Sequence, residues 1–378
     1  MPSEFLRSLP GDPAALSMRA GIFRRLRIDL PLLVLLLMLA GFGLIVLYSA
    51  SGQNLSRVLR QCAYLGVAFL ALLTVAQFSM KTVRALVPLL FVAGIVLLAL
   101  VPFFGVEVNG AQRWLNIFGL LRFQPSEIMK VAVPLGVAAF LAQTSLPPKP
   151  LDLLLALLIL AVPCGLTVIQ PDLGTSLLIG ISGLLVIWLA GLRWRVILVG
   201  LMTVGAAAWP IWQYFLQDYQ RQRILTLFNP DSDRLGAGWN IIQSKTAIGS
   251  GGLTGKGWLN GTQSQLDFLP ESHTDFIIAV LAEEFGLLGV MLLLTLYALI
   301  VLRGAMISLS AKNVFSRLVA GSITFIFLVY VIVNMGMVSG MLPVVGVPLP
   351  LVSYGGTAMI TMIASFGFLM AVNAEAQS

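Results

Sequence analysis

Residues 263–284 read QSQLDFLPESHTDFIIAVLAEE, and from there to Leu302 the chain is almost uninterrupted hydrocarbon. The whole chain has 16 acidic residues, and this run holds five of them: Asp267, Glu271, Asp275, Glu283 and Glu284. It also holds the only histidine, His273. An apolar stretch of this length implies a membrane span. Carboxylates crowded at its mouth are costly unless they cap, pair or do chemistry.

Composition agrees with a span. Hydrophobic residues make up 58% of the 378 positions and charged residues 10%, with a mean hydropathy of +0.95. Soluble domains carry about 25% charged residues, so this chain cannot cover a globule with polar surface. Crossing the hydrocarbon takes about 20 apolar residues. Ten segments qualify: 29–49, 58–78, 83–103, 125–143, 151–169, 172–190, 195–213, 276–301, 317–336 and 353–373. The first is too long for a cleaved signal segment and is expected to stay as an anchor. Cys62 and Cys164 lie in separate apolar runs and read as packing residues.

Positive charge orients the spans. With the N-terminus inside, the inner segments hold 13 basic residues: Arg7, Arg19, Arg24, Arg25, Arg27, Lys81, Arg84, Lys149, Arg193, Arg195, Arg303, Lys312 and Arg317. The short outer loops hold 4, Arg57, Arg60, Arg113 and Arg122. The expected fold is an all-α polytopic membrane protein with about ten transmembrane helices. A cytoplasmic tail (1–28) precedes helices one to seven (29–213). A long extracytoplasmic loop (214–275) leads to helices eight to ten (276–373) and a short cytoplasmic tail (374–378).

The long loop contains IGSGGLTGKGW, residues 248–258. It fails the Walker pattern, because Ser250 stands where the first Gly belongs and Gly257 where the hydroxyl belongs. The glycines read instead as permitting tight turns. Three polar clusters lie at the outer ends of spans. RFQPSEIMK (122–130) puts Pro125 at a helix start, with Glu127 and Lys130 three apart on one face. QPDLGTS (170–176) puts Asp172 at another helix start, where the dipole favours an anion. Ser272-x-x-Asp275 reads locally as a variant capping box. Mutual neutralisation and capping would account for each cluster separately; their convergence on one face suggests a polar cavity for a substrate with a charged head and a lipid tail. The dense prolines and glycines of PVVGVPLPLVSYGG (343–356) are expected to break the helix, re-enter and line that cavity.

The run NMGMVSGMLPVVGVPLPLVSYGGTA (334–358) resembles the signature of the SEDS family of cell elongation, division and sporulation proteins. GAQRWL, RFQPSEIMK, QPDLGTS and LPESHTDF are similar to further motifs of that family, and the likeness spans all ten segments, most closely the elongation branch. The resemblance implies a peptidoglycan glycosyltransferase of the bacterial inner membrane that polymerises lipid II, both termini being cytoplasmic. It implies Asp275 as the catalytic residue and Glu127, Lys130, Asp172, Arg113 and Arg122 as substrate-binding residues. Implied partners are a class B penicillin-binding protein, lipid II with its lipid-linked glycan strand, and the elongation machinery, with no nucleic acid. A divalent cation, Mg2+ or Mn2+, is an expected cofactor, although the sequence offers no ligand cluster. On this view Asp275 takes the proton of the acceptor hydroxyl, and cations neutralise the departing diphosphate. The rival readings are a flippase for lipid-linked precursor and a non-catalytic scaffold for the penicillin-binding protein.

Overall fold

The computed structural model describes residues 26–108, 111–117, 121–233, 236–265 and 271–377. Asp267 and the inner arginines Arg7, Arg19, Arg24 and Arg25 lie outside the described residues. Three helices come first: α1 (Leu30–Ala50), α2 (Leu55–Ala76) and α3 (Met80–Phe104). A small antiparallel sheet follows, β1 (Gly105–Val108), β2 (Ala111–Ile117) and β3 (Leu121–Phe123). Then come α4 (Pro125–Leu141), α5 (Pro150–Ile169), α6 (Leu173–Leu189) and α7 (Trp194–Pro210), the last prolonged by a π-helical turn, Ile211–Phe215. The connection beyond it carries α8 (Asp218–Phe228), α9 (Ala237–Ser250) and the single turn α10 (Thr262–Gln265). Three more complete the chain: α11 (Ile277–Ser310), α12 (Val314–Val338) and α13 (Thr357–Gln377).

Eight of the described helices are long and apolar enough to cross a membrane. The other two expected spans are α4 and α6, each 17 residues long; α6 buries one side and leaves Leu177, Leu184 and Trp188 exposed. Twelve of the 17 residues of α4 are buried, so its apolar side chains face protein all round. The opposite extreme is α7, which buries no residue at all. Its exposed side chains include Leu198, Leu201, Met202, Val204 and Trp209. An apolar helix with no protein-covered face needs hydrocarbon around it, and the chain is a multi-pass membrane protein.

The core runs between α1, α2, α4, α6, α11, α12 and α13. Two expectations change here. The outer connection at 104–124, read as a plain loop, is mostly β-sheet, and it carries Arg113 on β2 and Arg122 on β3. The capping box also fails. Helix α11 begins at Ile277 with Phe276 at its cap and no side-chain cap bond. The Ser272 hydroxyl instead donates to Ala50 O at the end of α1, 3.0 Å away. Asp275 therefore stands before the helix, held by tertiary contacts.

Helix α11 is broken one turn after Glu283. Gly286 has φ 64° and ψ −160°, a region open essentially to glycine alone. The glycine-rich run packs into this break. Lys256 N donates to Glu283 O and Gly257 N to Glu284 O, both at 3.0 Å. In return Leu287 N and Leu288 N donate to Gly252 O and Leu253 O, at 3.0 and 3.1 Å. The run thus supplies the partners that the interrupted helix ladder lacks. Gly252, Gly255 and Gly257 all have positive φ, so the glycines serve tight turns as their spacing suggested. A Cβ on Gly255 would also collide with Glu284 O. Glu283, fully buried, completes the joint by accepting from Lys256 Nζ at 2.6 Å and from Thr262 Oγ1 at 3.0 Å.

Candidate active site

The polar helix starts meet at one end of the bundle. On α4, Pro125 occupies the first helical turn, and Lys130 Nζ donates to Glu127 Oε1 at 2.6 Å. Thr361, one turn into α13, donates to the other oxygen of Glu127 at 3.3 Å. The Lys130 ammonium also lies over the Tyr330 ring of α12, 5.5 Å from its centre. Both members of the pair are largely buried, with side-chain exposures of 11% and 6%.

Asp172 caps α6, its Oδ1 accepting from Thr175 N at 3.2 Å. Its Oδ2 accepts from Gln124 Nε2 at 3.1 Å and lies 3.7 Å from Arg113 Nη1. The same guanidinium donates to Gln170 O and Pro171 O. Arg113 therefore ties the sheet to the α5–α6 turn. Arg122 pairs with Asn116 in the backbone register of β3 and β2; its side chain lies outside the described residues.

Asp275 is placed by the chain around it. Three consecutive carbonyls, those of His273, Thr274 and Asp275, each accept a hydrogen bond from outside the loop. The donors are Tyr354 N at 2.9 Å, Ser353 Oγ at 2.5 Å and Asn334 Nδ2 at 2.9 Å. The Asp275 carboxylate itself takes no hydrogen bond or ion pair among the described residues. Burial pushes its pKa up to about 6; the nearby negative charge of Glu271 acts in the same direction and Arg223 of α8 against it. His273 moves the other way, its pKa lowered by burial and by Arg57, with Glu271 opposing. The imidazole is therefore neutral near pH 7.

The coil between α12 and α13 brings these pieces together. It holds no helix from Ser339 to Gly356, and Val347, Leu349, Pro350, Leu351, Val352 and Ser353 are buried. Side chains from three helices satisfy its backbone: Gln61 of α2 donates to Ser353 O at 3.1 Å, Tyr297 of α11 to Pro350 O at 2.7 Å, and Asn334 of α12 to Val347 O at 2.7 Å. Irregular backbone survives inside a membrane bundle only when its polar groups are met in this way. At the coil's tip, Val345 packs on Gly174, two residues past Asp172, and a Cβ on Gly346 would stand 3.4 Å from Asp275 Oδ2. One segment thus touches the Asp172 helix start and the Asp275 carboxylate, and α13, which follows it, reaches Glu127.

Residues 30–378 match the family model of the FtsW/RodA/SpoVE cell cycle proteins. The chain belongs to that family. It is 49% identical over 349 residues to the peptidoglycan glycosyltransferase MrdB of Escherichia coli strain K12, covering 92% of this chain and 94% of that one. It is 34% identical over 366 residues to a probable peptidoglycan glycosyltransferase FtsW of Trichlorobacter lovleyi, covering 93% and 94%. Among solved structures, a peptidoglycan synthase complex that coordinates polymerization and crosslinking superposes with a TM-score of 0.80 at 32% identity, over 92% of this chain and 98% of that one. The rod shape determining protein RodA of Thermus thermophilus gives 0.70 at 29% identity, over 93% and 98%.

The sequence singled out Glu127, Lys130, Asp172, Arg113, Arg122 and Asp275. It passed over Gln61, Tyr297 and Asn334, which hold the coil, and assigned no role to Arg57 or Arg223, which face the His273–Asp275 loop. Gln61 and Asn334 are isolated amides in apolar runs, and that cost is the signal that marks them.

Proposed function

We propose that the chain is a peptidoglycan glycosyltransferase that polymerises lipid II on the outer face of the bacterial inner membrane during cell elongation, with Asp275 as general base. Both termini are then cytoplasmic, and its working partner is a class B penicillin-binding protein that crosslinks the strand. The observation that carries the reading is the state of Asp275: its backbone is held by the coil and by Asn334, yet its carboxylate is unengaged and has a pKa of about 6. Such a group is ionised at neutral pH and basic enough to accept a proton. A carboxylate serving only the fold would be paired.

The acceptor sugar hydroxyl gives its proton to Asp275 while its oxygen bonds to the anomeric carbon of the donor. The bond from that carbon to the diphosphate breaks in the same displacement, so one step inverts the α-linkage to β. The diphosphate is a competent leaving group, so no second carboxylic acid is needed. Positive charge opposite it lowers the barrier. Lys130 and Arg113 pair with Glu127 and Asp172 at the floor of the site, and with Arg122 they are assigned to the diphosphate. Arg57 and Arg223 add positive charge whose fields reach the His273–Asp275 loop.

Among the described residues, no three His, Cys, Asp or Glu side chains form a metal cluster. Mg2+ commonly takes only one or two carboxylates together with substrate phosphates, and Glu271 beside Asp275 fits that sparse arrangement. When bound, such an ion supplies further neutralisation of the leaving diphosphate. The test uses purified chain and lipid II, with and without the class B partner and with and without chelator. Asp275→Asn keeps the size of the side chain and removes the base. It is expected to insert and bind its partner normally while losing about 10²-fold or more in glycan formation. Near wild-type polymerisation by that variant would end the base assignment and favour the scaffold reading.

A further inference from the structure

Asn334 lies in the penultimate turn of α12, fully buried, and its amide serves two other segments. Nδ2 donates to Asp275 O at 2.9 Å and to Val347 O at 2.7 Å. One planar group thus spans the junction between the loop that carries the base and the coil whose Gly346 faces the base. Few side chains can do this. Ionised aspartate has no donor, serine has one, leucine none, and lysine's ammonium would bring a charge into the core. Among the described residues Asn334 Oδ1 finds no partner. An amide buried with its acceptor unmet is a poor choice for stability alone, and what it provides here is its two N–H groups.

We propose that Asn334 is a positioning residue for glycosyl transfer, locking the Asp275 peptide to the coil at Val347 so that the carboxylate meets the acceptor hydroxyl in line. The inference rests on Asp275 being the base. Ser353 and Tyr354 hold the two preceding carbonyls, so loss of Asn334 frees the Asp275 peptide while the rest of the loop stays attached. The loop is then intact but its last residue is loose. A misplacement of about 1 Å near a reacting group costs about 10²-fold in rate.

The experiment compares Asn334→Leu, with similar volume and no donors, and Asn334→Ser, with one donor, in the purified full chain with lipid II. For Asn334→Leu, kcat is expected to fall by about 10- to 100-fold with KM changed by less than about threefold, and Asn334→Ser to lie between it and wild type. Each change is also made in the Asp275→Asn background. There Asn334→Leu is expected to cost nothing more, because the group it positions is already gone. A folded Asn334→Leu with wild-type kcat would overturn the proposal. So would the same fold loss in the Asp275→Asn background, or a loss seen only in KM. If Asn334→Leu does not fold, the kcat of Asn334→Ser and its coupling to Asp275→Asn decide by the same criteria. Full activity of Asp275→Asn by itself would instead sink the base assignment, so the two failures are separable.

Discussion

Asp275 shows how a single side chain acquires its chemistry from its surroundings. Its pKa is about 6 because burial disfavours the charged form and Glu271 repels it, with Arg223 opposing. A base must be ionised, so polymerisation is expected to fall as pH drops through about 6. Removing the Glu271 charge lowers the pKa of Asp275, and Glu271→Gln should move the acidic limb of the rate profile to lower pH. Arg223→Gln should move it to higher pH. A limb that stays in place in both variants would mean that another group governs the rate. The Glu127–Lys130 pair poses the complementary question, because it is buried and paired. Lys130→Ala leaves Glu127 without its cation, and breaking such a pair costs about 3–5 kcal/mol. Replacing both residues with apolar ones should restore thermal stability. If polymerisation returns with it, the pair only holds the fold; if the stable double variant remains inactive, these groups act on substrate.

Among the elements, the break in α11 carries the clearest consequence. Glu283 and Glu284 give their carbonyls to the glycine-rich run, and Leu287 and Leu288 give it their N–H groups. The long connection is thereby fastened to the helix whose first turn follows Asp275. Gly286→Ala forces a side chain into a glycine-only conformation, which costs about 1–3 kcal/mol, and its Cβ would clash with Leu253 O. Gly255→Ala disrupts the same joint from the other side. The two losses should be less than additive in a double-mutant cycle of thermal stability, because either one opens the joint. Strict additivity would mean that the run and the helix fold independently.

For the whole molecule, the polar groups sort to two opposite ends. Asp275, Asp172 and Glu127 occupy one. At the other, Asp29 Oδ1 accepts from Arg303 Nε at 3.1 Å, Asn373 donates to Asp29 Oδ2 at 2.7 Å, and Glu375 accepts from Met80 N at 2.7 Å. Among the described residues, the short connections at this second end carry Arg27, Lys81, Arg84, Lys149, Arg193, Arg195 and Lys312, and the charge rule assigns it to the cytoplasm. A reporter fused after Asn260 is expected to read extracytoplasmic and one after Ser378 cytoplasmic. The same side for both would break the ten-helix arrangement.

Much of this was legible in the chain alone, for identifiable reasons. Apolar runs of about 20 residues can satisfy their backbone only as helices, so the spans could be read locally. Pro125 and Asp172 act within one turn of their own positions, and their roles as helix starts were visible too. Ser272 and Asp275 had the spacing of a cap, but the hydroxyl went to Ala50 and the helix began after the acid. The glycine-rich run showed that it must turn, and nothing in it named its partner 27 residues on. The coil at 343–356 could be seen to break a helix; that Gln61, Tyr297 and Asn334 would hold it could not be seen. Those bonds join residues up to 292 positions apart, and no local pattern encodes a partner at that distance. The sequence determined the spans, their orientation by charge and the residues able to do chemistry. Only tertiary packing decided which carbonyls Asn334 would bind and how the Asp275 carboxylate would be left half-buried, unpaired and basic, because burial and long-range hydrogen bonding exist only once the helices have assembled.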